Sequence, residues 1–432
     1  MLYTKVHSIN IVSGAVCAVL LSFAATASTA FAESSEKLLL DKLVQKGVLT
    51  PEESMNIAKQ STAAVAVTPD KKTKSVRVGA RFQTQYEYID SNFYAGAGSP
   101  VDQSNMGFII RRLFIQTEAD LGGGWEAKAV LDMARSESTS YLNDVYVSKK
   151  FDYEYFSGKL YAGYMKPGLS YEDALSTFAL DAVETSAVTN YWTCPINSRR
   201  LGVGNRYTGL RWNGNVKQVE GLTYILAVTN SYQLSPTAIA NADNRLAYWG
   251  SVHYAKKIDG VSLKGGVYTM YSSEANSSVT PSSSIYTVSP YITLNYGGWY
   301  IWSSYTASGV ENGKTVGGSY AQANPYGVDV SIEYRFDVGE FGKIAPIFKY
   351  SWIDTNGRGV QMSDVQRHAT SVGGSFNNVQ EFYGGINWYL RGEDLKLQIG
   401  YSYMQFSGTP SDKNADYGGD AGAFRMQLQV KM

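Results

Sequence analysis

Residues 76–88 read Val76-Arg77-Val78-Gly79-Ala80-Arg81-Phe82-Gln83-Thr84-Gln85-Tyr86-Glu87-Tyr88. Val76, Val78, Ala80, Phe82, Tyr86 and Tyr88 fall on one face of an extended chain. Arg77, Arg81, Gln83, Gln85 and Glu87 fall on the other. A period of two over so long a run predicts a strand that is apolar on one side and wet on the other. The same pattern returns at Tyr326–Asp337, at Leu395–Met404 and at Phe424–Met432. Strands of this kind suit a closed barrel in a membrane, with alternate residues toward lipid and toward a polar lumen.

Working outward, we read sixteen such segments: 76–88, 108–121, 125–135, 140–150, 158–166, 201–212, 220–230, 245–256, 261–272, 284–296, 299–307, 325–337, 343–353, 379–390, 395–405 and 423–432. Most connections after even-numbered segments are short, as at Gly122-Gly123-Gly124 and Gly297-Gly298. Most after odd-numbered ones are long, as at 89–107, 308–324 and 354–378. Short turns on one side and long loops on the other mark an outer-membrane barrel and have no reason in a soluble sandwich. Tyr86, Tyr88, Trp125, Tyr296, Trp299, Tyr300, Trp388, Tyr389, Tyr401 and Tyr403 cluster near strand ends, where aromatic girdles sit. The expected fold class is all-β: a transmembrane antiparallel barrel over 76–432 with a short helical N-terminal extension.

The bulk numbers agree. The 432 residues include 33 Tyr and 42 Gly, and 38 Lys plus Arg balance 38 Asp plus Glu. That balance offers no basic excess for a nucleic-acid partner. Beyond residue 32 no apolar run is long enough for a membrane helix. Residues 1–32 read as a signal peptide, with an apolar stretch Ile9–Ala25 that holds Cys17 and a cleavage motif at Ala30-Phe31-Ala32. That leaves Cys194 alone in the mature chain, without a disulfide partner. Residues 33–60 suggest a periplasmic helical hairpin. Gly47 stops its first helix, and Thr50-Pro51-Glu52-Glu53 begins the second. Residues 61–75 read as a linker.

The longest gap between segments, 167–200, needs a reason inside a compact fold. In a barrel the reason is a loop folded into the lumen as a constriction. Glu172, Asp173, Asp181 and Glu184 are its acids, Arg199 and Arg200 its bases, and Lys166 stands at its entrance. Charges in a constriction with low-dielectric walls bias ion passage. On the wall, alternation turns Arg81, Arg112 and Lys128 inward, with Glu87, Glu118 and Asp144 among the acids. Acids and bases are balanced there, so the wall alone does not specify a sign. Arg81, Arg111 and Arg112 form a candidate cluster for oxyanions, since guanidinium forks bind them bidentately. Strict alternation admits only one of Arg111 and Arg112 to the lumen, so both would need a bulge. The alternative is pairing with Asp144 or Glu118. His253 and His368 stand apart, and no nucleotide loop or zinc spacing is present, so neither a cofactor nor catalysis is expected.

Several motifs resemble one family. Phe108-Ile109-Ile110-Arg111-Arg112-Leu113, with Trp125-Glu126-Ala127-Lys128, is similar to the paired-arginine strand and next hairpin of the phosphate-selective porins O and P. Gly163-Tyr164-Met165-Lys166-Pro167-Gly168-Leu169-Ser170-Tyr171-Glu172 resembles the lead into their constriction loop, and Gly385-Ile386-Asn387-Trp388-Tyr389 their penultimate hairpin. The resemblance implies sixteen strands, a homotrimer and a path for anions. By position, Arg81, Arg111 and Arg112 would be its central arginines and Asp144 an acid beside them. Asp173 stands where a phosphate porin can carry lysine, and Met432 where a terminal aromatic is usual. The expected function is passive diffusion of small polar solutes and ions across the outer membrane of a Gram-negative bacterium, with an anion or phosphate preference. The expected surroundings are outer-membrane lipid and lipopolysaccharide. A general or cation-preferring porin without a phosphate site is one alternative. A non-conducting barrel that anchors or adheres is another.

Overall fold

The computed structural model describes residues 44–46, 50, 74–94, 101–134, 141–194, 200–204, 206–231, 246–275, 283–370, 375–413 and 417–432. The chain divides into two units, Met1–Ala64 and Val65–Met432. In the first, Val44 and Gln45 are helical. Apart from Val44 to Lys46 and Thr50, the expected signal peptide and hairpin lie outside the described residues, as does the linker up to residue 73.

In the second unit sixteen antiparallel strands form one closed sheet. They are β1 (Ser75–Tyr94), β2 (Val101–Gly122), β3 (Trp125–Asp132), β4 (Leu142–Asp152), β5 (Phe156–Met165), β6 (Tyr207–Val216), β7 (Leu222–Asn230) and β8 (Leu246–Ile258). Then follow β9 (Val261–Ala275), β10 (Ser283–Tyr296), β11 (Trp299–Val316), β12 (Tyr326–Tyr334), β13 (Lys343–Asp354), β14 (Asn378–Glu393), β15 (Leu395–Ser407) and β16 (Gly418–Lys431). Each pairs with its chain neighbours, and β1 closes on β16 from Arg81↔Lys431 to Tyr94↔Gly418. A short strand, Ser319–Ala323, folds back on the end of β11, and Phe336–Asp337 continues β12 beyond Arg335.

The turn chemistry explains the alternation of connections. Gly297 and Gly298 both have positive φ, 56° and 94°, which a two-residue hairpin demands and side chains resist. The sheet is inside-out relative to a soluble protein. Phe108, Leu210, Leu226, Ile292 and Ile386 are more than half exposed on its outer face. Gln83, Gln85, Ser331, Asn387 and Gln429 are buried within. Only closure lets such strands cross lipid with every backbone group paired.

Two loops fill part of the lumen. The connection from β5 to β6 spans 166–206 and carries α1 (Tyr171–Ala174) and α2 (Ala187–Thr193). The connection from β13 to β14 spans 355–377 and carries α3 (Met362–Val365). The Ser186 hydroxyl caps α2 by accepting from Thr189 N at 3.0 Å. Val188, Tyr191 and Trp192 pack with Val360, Met362, Val365, Phe376 and the wall residues Ile353 and Phe406 in one apolar core.

Three expectations are corrected. The connections expected at 89–107 and 308–324 are mostly strand, since β1 runs to Tyr94, β2 begins at Val101, and β11 runs to Val316 with Ser319–Ala323 folded back on it. The segment expected to begin a strand at 201 starts only at Tyr207. Leu201 N and Val203 N bond instead to Tyr191 O and Trp192 O at 2.9 and 2.8 Å, so residues 201–204 belong to the loop core. Tyr300 and Tyr389, expected in an interfacial girdle, point inward. Tyr300 meets the hydroxyl of Tyr171, and Tyr389 donates to Glu333 at 2.6 Å.

Ile386 sits mid-strand on the outer face, 54% exposed. Ile386→Arg should therefore destabilise the barrel by about 2–4 kcal/mol, the cost of a midplane charge in lipid. Guanidinium unfolding of protein refolded into phospholipid vesicles reads this, and an unchanged midpoint would remove Ile386 from the hydrocarbon.

Candidate functional site

The loop 166–206 is held by polar anchors, because the wall it meets is polar. Lys349 on β13 and Glu172 form an ion pair at 2.5 Å with each side chain 1% exposed, and Glu172 also accepts from Ser186 N at 2.8 Å. Asp181 accepts from Trp302 Nε1 at 2.7 Å and from the Ser331 hydroxyl at 2.6 Å. Lys396 donates to the carbonyls of Phe178 and Leu180, and Glu381 accepts from Ala187 N at 2.7 Å. Val183 N donates to the Tyr383 hydroxyl at 3.3 Å. Tyr383 reaches it only because residue 400 is glycine, where a Cβ would lie 2.1 Å from that hydroxyl. Glu172 and Asp181 therefore anchor the loop. Asp173 does so locally, accepting from Leu169 N at 3.0 Å and pairing with Lys166 at 3.0 Å.

The paired arginines are both turned inward by a bulge. Along β1 and β2, Gln83 pairs with Arg112 and Thr84 with Ile110, so Arg111 is the extra residue. A bulge of this kind re-aims one side chain. Arg112, 3% exposed, donates to Gln83 Oε1 at 2.8 Å. Arg111 grips Glu184 with Nε to Oε1 at 2.7 Å and Nη2 to Oε2 at 2.9 Å. Successive inward positions of β1 thus form rungs. Arg81 lies between the Phe114 and Phe178 rings and donates to Ser176. Gln83 meets Arg112, Gln85 meets Arg367, and Glu87 meets Arg367 and Arg425 at 3.0 and 3.3 Å.

A cavity of about 900 Å³ opens beside these rungs. Among the described residues, Arg111, Arg112, Lys166, Arg200, Arg206, Arg367 and Arg425 line it, against Glu172, Asp173, Glu184, Asp364 and Glu381. Seven cations thus stand around five carboxylates. Of the other residues singled out in the sequence, Asp144 pairs with Arg206 at 3.0 Å and Arg200 lies 3.8 Å from Asp364. Lys128 pairs across strands with Glu118 at 2.8 Å, and neither it nor Arg81 lines the cavity. Arg199 lies outside the described residues.

Sequence reasoning missed Arg206 and Arg367. Arg367 comes from the loop 355–377, read only as an outer loop. That loop turns into the lumen, where Asp364 caps its own helix by accepting from Gln361 N at 2.8 Å, and Asn190 on α2 donates to Val365 O at 3.0 Å. A Gln-x-x-Asp capping pair at 361–364 was the available sign of an ordered helix there. Burial works to raise the Glu184 carboxyl, but Arg111 and Arg367 outweigh it and hold the group well below the usual carboxylate range.

Residues 76–220 match the family model described as phosphate-selective porin O and P. That span covers β1 to β6, the bulge and the whole loop 166–206. No curated protein sequence matches the chain. Among solved structures, Pseudomonas putida OprB is similar with a TM-score of 0.54 at 10% identity, covering 82% of this chain and 94% of that one. An anion-selective porin from Comamonas acidovorans gives 0.52 at 12% identity, covering 82% and 99%. The outer-membrane channel DcaP of Acinetobacter baumannii gives 0.50 at 11% identity, covering 84% and 99%. At such identities these likenesses show the fold. With its apolar outer belt and polar lumen, the chain is an outer-membrane β-barrel of the porin type, and its residues 76–220 match the phosphate-selective porin O and P family.

Proposed function

We propose that this porin passes small polar solutes and ions through the eyelet between the loop 166–206 and the β1–β2 wall, with a preference for anions, phosphate among them. The observation that carries the reading is the excess of cations around the cavity, to which the bulge contributes by turning Arg111 inward beside Arg112. In a narrow, low-dielectric passage a small surplus of fixed charge sets the sign of the local potential. The anion-selective porin of Comamonas acidovorans shares the fold, and the family description names phosphate, which agree with this reading. The outward belt faces outer-membrane lipid and lipopolysaccharide. A homotrimer belongs to the same reading and predicts three chains on chemical cross-linking in mild detergent.

Purified protein in a planar bilayer under a salt gradient should give discrete steps with an anion-selective reversal potential. Arg111→Ala should shift that potential toward cations more than Arg112→Ala, because it also takes from the Glu184 carboxylate one of the two guanidiniums that neutralise it, whereas Arg112 donates to the neutral Gln83. Cation-selective or unselective steps would leave a general porin, and no steps at all would leave a non-conducting barrel.

The pH dependence follows from the Glu184 carboxyl. Its folded pKa is depressed, so its contribution is complete above the ordinary glutamate value and is lost only as pH falls through the lower folded value. The difference in selectivity between wild type and Glu184→Gln should therefore persist down through the ordinary glutamate range and fade only in acid below it. A difference that fades already at neutral pH would contradict this.

A further inference from the structure

Glu184 is held as a ligand would be held. Its Oε1 accepts from Arg111 Nε at 2.7 Å, from Arg367 Nη2 at 2.8 Å, from Arg367 Nε at 3.2 Å and from Gln85 Nε2 at 3.3 Å. Its Oε2 accepts from Arg111 Nη2 at 2.9 Å. Two guanidinium forks and an amide thus converge on one carboxylate from three elements: β1, β2 and the loop 355–377. A carboxylate oxygen carries two lone pairs, so four donors at Oε1 exceed what it can satisfy at once. Four donors crowd Oε1 and one reaches Oε2, so the carboxylate meets the two forks unevenly, and Arg367 Nη2 is shared with Gln85 and Glu87. Charge points the same way. Arg111, Arg367 and Arg425 surround the bridge, and Glu184 and Glu87 leave one positive charge over. Arg111, Glu184 and Arg367 all line the cavity, with side chains 10%, 13% and 22% exposed. Glu184 lies between the Asp181 anchor and α2, in a stretch with neither helix nor strand.

We infer that Glu184 is the tethered occupant of the anion site proposed above, held there by Arg111, Arg367 and Gln85, and that each oxyanion that binds displaces it. The ligand is a small oxyanion whose oxygens fit guanidinium forks, a carboxylate or a phosphate. Arg367 is then a specificity-determining residue that the loop 355–377 supplies. The occupant sets a threshold. An oxyanion must outcompete a carboxylate that is always present, so residence is short and passage continues. The inference rests on the anion-preferring reading above and deepens it.

The test is block of chloride current by inorganic phosphate, and separately by succinate, in wild type and Glu184→Gln. The amide keeps the shape of the side chain and removes its charge. Glu184→Gln should lower the half-blocking concentration of at least one probe roughly tenfold, the loss of one charge-assisted competitor. Adding Arg367→Ala to Glu184→Gln should abolish the gain. Tighter block by phosphate alone assigns the site to phosphate, and tighter block by succinate assigns it to carboxylates. Half-blocking concentrations unchanged or raised for both probes overturn the inference, as does a gain that survives Arg367→Ala. If Glu184→Gln does not assemble, Glu184→Asp retracts the carboxylate by one methylene and should give a smaller gain of the same sign, and no gain overturns the inference. The wild-type reversal potential reports on the anion reading by itself, so a cation-selective wild type and an unchanged block ratio are separate failures.

Discussion

Everything in this barrel depends on closure of the sheet between β1 and β16. A strand edge left open in lipid would strand a row of unpaired amides and carbonyls, each costing several kcal/mol. The unbroken register from Arg81↔Lys431 to Tyr94↔Gly418 removes that edge. Closure also dictates the interior. Alternate residues must face lipid and are apolar, so those between them line a lumen that must be wet or filled with polar partners. The loop 166–206 meets such a surface, and it is tied down by the Lys349–Glu172 ion pair and by carbonyls that take Lys396, not by greasy contact alone. Buried ion pairs add little net stability but specify position, because removing one partner leaves a bare charge.

The interior is nevertheless not uniformly polar. On one side of the eyelet, α2 and α3 bring Val188, Tyr191, Trp192, Met362 and Val365 together with Phe376 and Phe406. Two loops that separately could bury little thus share a core inside the barrel. The division of labour is clear in the residues. Apolar packing joins the two loops to each other and to parts of the wall, while buried ion pairs and hydrogen bonds fix the loop 166–206 at points along β11 to β15. The eyelet lies at the junction, where Arg367 from one loop and Glu184 from the other meet Arg111 on β2.

How much was legible in the sequence follows from which of these forces leaves a periodic trace. Strand positions were readable because lipid imposes a period of two, and every one of the sixteen segments overlaps a strand. The long connection between β5 and β6 was readable from its length. Arg111 was named with Arg81 and Arg112, and the bulge needed to turn it inward beside Arg112 could be stated, but nothing local in the sequence announces that the bulge forms. The inward turn of 355–377 was hidden for another reason: its apolar residues answer to α2, a partner far away in the chain. Tyr300 and Tyr389 were misplaced because a tyrosine beside a turn looks the same whether its hydroxyl meets a headgroup or, as here, Tyr171 and Glu333.

The anchors of the loop 166–206 also bear on how the protein is made. Glu172 takes a partner 177 residues away, Asp181 one 121 and one 150 residues away, and Leu180 O one 216 residues away. These partners stand on β11, β12, β13 and β15, so the buried anchors of the loop await strands that follow it in the chain, although Arg81 and Arg111 on β1 and β2 also reach it. Contacts so distant in sequence form late. The width of the eyelet is therefore fixed by strands that follow the loop in the chain as much as by the β1–β2 wall that precedes it.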